Sequence, residues 1–299
     1  MSIVAVGSGR DDGASVNVAA PAPGLHPGLS FEDYFALEAV NHSILEPFRR
    51  TPAHAREEML HPKDSTAALA LGHAFHTFML EEPTFYQRFA VPPKVDRRFK
   101  EGKETWAAFE AENPDRVLVS AQEMQQFRGM RESILAHPTA SEFLAKSVAR
   151  ELTFVWDESI ELSESHLKIQ RCKGRADAIT SFGGWSWIVD LKTTKDASER
   201  SFQRDIASYG YYRGMAWYRR GLNTIRPAQR RVAFIAVEKE PPYAVAVHEL
   251  DDRALDQGER EMLRFLHQYG ACVASGVWPA YEDGLSLLDL PPWAVDQLD

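Results

Sequence analysis

Gly184-Trp185-Ser186-Trp187-Ile188-Val189-Asp190-Leu191-Lys192 is an apolar, aromatic-rich run that ends in two opposite charges. Its composition predicts a strand, and alternation along a strand projects Asp190 and Lys192 to the same side. A carboxylate and an amine so placed can bind a divalent cation and orient a water beside it. Asp177 lies just upstream, across Gly183-Gly184, a dipeptide suited to a hairpin turn. On the paired strand it brings a second carboxylate to the lysine, the arrangement that metal-dependent phosphodiester hydrolysis needs. An isolated Asp-x-Lys is a common pattern that a surface ion pair explains. The upstream Gly174-Arg175-Ala176-Asp177, the hairpin and the amphipathic segment that follows give this one its weight.

Outward from that run, the segments Leu152–Trp156, Leu167–Gln170 and Ala176–Ser181 are β-prone and predict an antiparallel meander whose last strand carries Asp190 and Lys192. Before it, Ser30 caps a helix from Phe31, and Asp64-Ser65-Thr66 introduces a helix over 67–81, stopped by Pro83. Gly72 in that helix allows another backbone to approach closely. Residues 84–118 read as irregular, and 120–147 as two helices parted near His137-Pro138. After the meander come a helix over 202–220 ended by Gly221, strands over 231–237 and 243–247, and a helix over about 255–275. The order predicts an α/β (α+β) fold, with a central mixed sheet flanked by helices. Residues 1–28, rich in Ala, Gly, Pro and Val, read as a flexible arm, and 29–299 as a single domain.

The chain has 299 residues, 44% apolar and 26% charged, the balance of an ordinary globular protein. No run approaches a membrane span. The first residues lack the basic and apolar regions of a signal peptide and do not read as one, and a cytoplasmic chain is the expectation. Its two cysteines, Cys172 and Cys272, fit no zinc or iron–sulfur spacing and read as buried thiols. A net charge of −9 argues against a nucleic-acid coat protein. It leaves room for a nuclease, because a metal brings its own positive charge. Lys94, Arg97, Arg98, Lys100 and Lys103 form one basic cluster, and Arg213, Arg219 and Arg220 another. A solvated surface is the simpler reading of each.

Mg²⁺ takes octahedral oxygen ligands, which Asp177, Asp190, the Leu191 carbonyl and a substrate phosphate can supply. Lys192 can stabilise charge developing on the phosphate or place the attacking water. His73 and His76 share a helix face, but a zinc pair needs a third ligand and none is apparent. One of them is better read as a further ligand to the same Mg²⁺ or Mn²⁺.

The chain resembles the exonuclease VIII (RecE-like) branch of the PD-(D/E)xK nuclease superfamily. The segments that carry the resemblance are Asn41-His42-Ser43-Ile44-Leu45, Thr51-Pro52-Ala53-His54, Leu71-Gly72-His73-Ala74-Phe75-His76 and Leu80-Glu81-Glu82-Pro83. They continue with Cys172 to Asp177, Val189-Asp190-Leu191-Lys192-Thr193-Thr194, Tyr209 to Tyr218, and Trp278-Pro279-Ala280-Tyr281. The resemblance implies a restriction-endonuclease-like core and an exodeoxyribonuclease acting 5′→3′ on double-stranded DNA ends. It also implies a phage-type annealing protein as partner, and such enzymes often work as ring-shaped homo-oligomers.

Residue by residue, the resemblance implies His76, Asp177, Asp190 and the Leu191 carbonyl as metal ligands, Lys192 as the catalytic lysine, and Tyr218 as an active-site tyrosine. Glu151 also lines the implied site. Two positions depart from the pattern: Ala176 replaces a proline, and Gly214 stands where a glutamine is usual, one helical turn before Tyr218. The second removes a polar contact near the substrate phosphate. Two cysteines cannot hold the four-thiolate cluster of related iron–sulfur nucleases.

Overall fold

In a computed structural model, which describes residues 18–62, 66–163, 166–282 and 284–290, the meander is longer than its β-prone cores. β4 (Ser147–Ser163) and β5 (His166–Phe182) form a long antiparallel hairpin, and β6 (Trp185–Thr194) returns from β5. Gly183 and Gly184 both have positive φ, 57° and 80°, as a two-residue turn between twisted strands requires.

The sheet has the order β1-β4-β5-β6-β7-β8, with β1 (Gly24–His26), β7 (Arg230–Glu238) and β8 (Val245–Glu249) completing it. β6 and β7 are parallel and the other neighbours antiparallel, so this is the mixed sheet expected. A parallel pair cannot be joined by a tight turn. The crossover is made by α9 (Glu199–Tyr209) and α10 (Tyr211–Ile225).

Helices cover both faces. α1 (Phe31–Ala36), α2 (His42–Leu45) and α3 (Pro52–Leu60) precede α4 (Ala67–Leu80) and α5 (Glu82–Arg88). A short parallel pair, β2 (Phe89–Ala90) and β3 (Val117–Leu118), brackets α6 (Lys100–Glu112). Then come α7 (Ala121–Ala136) and α8 (Pro138–Ala145), and α11 (Asp252–Ser275) follows β8.

Alternation on β6 sorts the core into two layers. Ile188 packs with Trp156, Phe202, Trp217 and Phe265 on one side of the sheet. Trp187, Val189 and Leu191 pack with Phe75, Phe127 and Ile134 on the other. Each fully buried side chain of this kind contributes roughly 1.5–3 kcal/mol. Asp190 and Lys192 share the first face but lie where its apolar filling ends. Both cysteines are buried and free.

Several local expectations change. The single helix over 202–220 is two helices, broken at Gly210, which adopts φ 71° and ends α9. Gly221 does not end a helix. It sits inside α10, where a Cβ would come within 2.6 Å of the Trp156 ring, so close packing is what demands glycine there. Residues 84–118 are not irregular throughout, since they hold the end of α5 and all of α6. Pro83 does not simply stop the preceding helix. It occupies the first turn of α5, where its missing N–H costs nothing.

Gly72 has room for a methyl group, the nearest atom to a Cβ being Thr193 Oγ1 at 3.7 Å, so no close approach requires it. The expected arm over 1–28 falls mostly on residues 1–17, outside those described. Its described end is ordered: Gly24–His26 pairs with β4, and Val18 bridges Leu37. Asp64 and Ser65 also lie outside the described residues, and Thr66 accepts the Leu69 N–H as the N-cap of α4.

Candidate active site

The site lies where the sheet opens. β5 and β6 pair from Phe182↔Trp185 to Ala178↔Val189 and no further. β6 continues along β7 as far as Thr194↔Glu238. The next opposing residues are Asp177 and Asp190. Asp177 Oδ2 accepts the Leu191 N–H at 2.8 Å, so a side chain fills the place of a strand partner. A residue's N–H and C=O leave a strand on the same side. The Leu191 carbonyl therefore faces the same opening, on the side of His76.

On the other edge of β5, Arg150↔Ala178 and Leu152↔Ala176 flank a point where Glu151 takes φ 46°. That conformation is uncommon for a side-chain-bearing residue and costs on the order of 1 kcal/mol. Arg175 holds the Glu151 carboxylate with Nε at 2.7 Å, and also reaches Glu81, the Leu29 carbonyl and Thr153.

The sequence-predicted residues converge. His76 Nδ1 is 3.3 Å from Asp177 Oδ2. His76, Glu151 and Asp177 each offer a ligand atom, and these lie within 4.8 Å of one another. Asp190 forms an ion pair with Lys192, whose ammonium also stands 5.1 Å from the Tyr211 ring centre. Tyr218 is held edge-on by Phe154, at 5.8 Å between centroids, and by His42, at 5.4 Å.

Burial sets the protonation. It raises the carboxyls of Asp177 and Asp190 above their ordinary range, with Lys192 opposing. Burial likewise pushes Glu151 up to about 8, reinforced by the charge of Asp177 and opposed by Arg175. His76 is lowered to about 4 by burial and by Lys192, which leaves a neutral ring with a free lone pair. Burial alone would lower Lys192, but Asp190 and Asp177 carry it above its ordinary value. Burial holds the Tyr218 hydroxyl well above its usual pKa, so it keeps its proton. Buried carboxylates beside a neutral imidazole and a backbone carbonyl are a donor set for a hard divalent cation.

His73 turns away toward α1, its ring 4.3 Å from that of Phe31. Gly214 does face the site: a Cβ there would lie 3.3 Å from His42 Cδ2. His42 and Ser43 themselves line the site, and His42 Nε2 is 3.3 Å from Ser43 Oγ. No role was expected for either, because a short polar helix start gives no periodic signal. The Arg cluster on α10 is structural. Arg213 pairs with Glu46 and Glu261, Arg219 with Asp252 and Asp256, and Arg220 with Glu158 and Glu259.

Residues 41–289 match the model of the PDDEXK-like domain of unknown function (DUF3799). The chain belongs to this family. The six-stranded mixed sheet with helices on both faces is the fold of a PDDEXK-like nuclease. No curated protein matches the DUF3799 chain. Among solved structures it is similar to a candidate exonuclease from Eubacterium rectale, at 13% identity and TM-score 0.49, over 83% of this chain and 91% of that one. It is also similar to SSO0001 (16% identity, TM-score 0.25, over 70% and 96%) and to VC1899 from Vibrio cholerae (11%, 0.21, over 78% and 57%). Among the described residues, no helix is long and apolar enough to cross a membrane.

Proposed function

We propose that this DUF3799 chain is a Mg²⁺-dependent deoxyribonuclease that hydrolyses phosphodiester bonds at DNA ends. The 5′→3′ polarity, the work beside an annealing protein in phage-type recombination and the homo-oligomer follow from the resemblance to RecE-like exonucleases. The observation that carries the core of the reading is the break between β5 and β6. It gathers His76, Glu151, Asp177, Asp190 and Lys192 around the backbone of Leu191.

His76, Asp177 and Glu151, whose ligand atoms lie within 4.8 Å of one another, would hold the cation, with the expected ligands Asp190 and the Leu191 carbonyl beside them. Bound Mg²⁺ supplies Lewis acidity to a phosphate oxygen and acidifies a coordinated water. The protein's own contribution is positioning and charge. Lys192 keeps its proton and can donate to a phosphate oxygen as negative charge grows there. Tyr218, also protonated, is a second donor. Glu81 and Glu151 fix Arg175 beside the acids.

End-labelled linear duplex and closed circular duplex, incubated with Mg²⁺ with and without EDTA, test the reading. Linear DNA should be degraded from its ends, the circle should survive, and EDTA should stop the reaction. Cutting of the circle would point instead to an endonuclease on branched or single-stranded DNA. Absence of any metal-dependent cleavage would leave a DNA-end-binding protein.

A further inference from the structure

Two clefts meet at the site, and each is edged by exposed aromatic rings. One, lined by His76, Asp177 and Glu151, opens past Phe31 and Phe35. The other, lined by Asp190 and Lys192, opens past Tyr209 and Tyr211. His42, Ser43 and Tyr218 line both, so the clefts form one trough with the acids at its middle. Phe35 is 58% exposed and Tyr209 64%, unusual for large rings beside a polar site.

Both rings are braced. Phe35 lies one turn after Phe31 on α1, 4.6 Å between centroids, and Arg88 stands over the Phe31 ring. Tyr209 stacks on Tyr211 at 5.5 Å and 26°. Residues two apart on a continuous helix point about 200° apart, since each residue turns the helix by about 100°. The left-handed Gly210 breaks the helix and lets the two tyrosines stack.

The charges in the trough favour bases over phosphates as the source of grip. Each described Lys or Arg that lines it is already ion-paired: Arg88 with Glu32, Arg175 with Glu151, and Lys192 with Asp190. Glu46 and Glu58 line the tyrosine side as well. Such walls are a poor track for a bare backbone, whereas exposed rings stack bases of any sequence. Stacking on rings to either side of one phosphate requires bases that have left the duplex stack.

We infer that the trough takes an unpaired DNA strand, with bases stacked on Phe35 and Tyr209 to either side of the phosphate held at Asp177 and Asp190. This rests on the deoxyribonuclease reading for its scissile phosphate, but the binding it asserts can be measured without cleavage. A duplex end then enters only where it frays or carries a single-stranded overhang.

The test is fluorescence anisotropy in EDTA, with the full chain, a fluorescent single-stranded oligonucleotide and a blunt hairpin duplex of the same length. The unpaired strand should bind at least tenfold more tightly. Phe35→Ala and Tyr209→Ala should each weaken that binding about tenfold, with less than a twofold effect on the blunt hairpin. Phe35→Trp and Tyr209→Phe should retain it, which separates lost stacking from lost folding. Equal affinity of the wild-type chain for hairpin and single strand, or unchanged binding by both alanine variants, would overturn the inference. A chain that binds the strand in this way yet never cleaves it with Mg²⁺ or Mn²⁺ would sink the nuclease reading alone.

Discussion

Asp177 and Leu191 are joined by a hydrogen bond from the Leu191 N–H to Asp177 Oδ2, 2.8 Å long, at the point where their strands part. One carboxylate thus closes the end of a ladder and stands among the acids of the site. The two duties can be separated. Asp177→Asn keeps an oxygen to accept the N–H but loses the charge. Its metal-free stability at neutral pH should equal or exceed that of the wild type, because a buried carboxylate has gone, while Mg²⁺-dependent cleavage falls at least about 100-fold. Asp177→Ala leaves the N–H unpaired and should cost about 1–3 kcal/mol in urea denaturation. An asparagine variant as unstable as the alanine one would mean that charge, not the hydrogen bond, holds the strands here.

Asp190 and Lys192 stand on one face of β6 and pair with each other. Asp190→Ala and Lys192→Ala should each lower the cleavage rate by about 100- to 1,000-fold, with circular dichroism unchanged. Full activity in either purified variant would remove both from the site. Lys192→Ala also strips Asp190 of its cation, so the carboxyl pKa rises further and ionisation opposes folding. Its stability deficit should therefore be larger at pH 8 than at pH 5, as thermal melts at the two values would show.

His76 and His73 lie three residues apart on α4, yet only His76 reaches Asp177. His76→Ala should raise the Mg²⁺ concentration needed for half-maximal cleavage by tenfold or more. His73→Ala should leave it within about threefold, because that ring packs on Phe31. A metal titration of each variant's activity checks this, and the reverse order would place the wrong face of α4 toward the acids.

How much of this was legible in the chain follows from what each signal depends on. Strand alternation is local, so β6 and the shared face of Asp190 and Lys192 could be read directly. The hairpin was equally legible, since Gly183-Gly184 needs only its own backbone. Gly221 misled because the cue for a helix end and the cue for a close ring contact are the same residue, and only Trp156 tells them apart. Gly210, the true break, carries no local mark beyond being a glycine. Pro83 misled in a similar way, since a proline that ends one helix can open the next. The hairpin placed Asp177 opposite Lys192, and the resemblance chose His76 over His73, but nothing within α4 or β5 states that His76 and Asp177 meet. Glu151 was the least legible of all, because its position depends on a left-handed residue in mid-strand held by Arg175.

Glu151 yields the pH dependence. Burial, and then the charge of Asp177, push its carboxyl up to about 8 from an ordinary value of 4.5. Between those values the folded chain keeps a proton that the unfolded chain has released. Stability of the metal-free protein should therefore fall as pH rises across that window, by at most about 1.4 kcal/mol per pH unit from this group. Glu151→Gln should flatten the fall, because an amide has no proton to lose. Cation binding opposes the same proton, so Mg²⁺ affinity should rise from pH 6 to 8 with release of protons. Calorimetry in two buffers of different ionisation enthalpy would count them. If the Gln variant keeps the wild-type slope and releases as many protons, the titrating carboxyl is Asp177 or Asp190, and Glu151 stays ionised against Arg175.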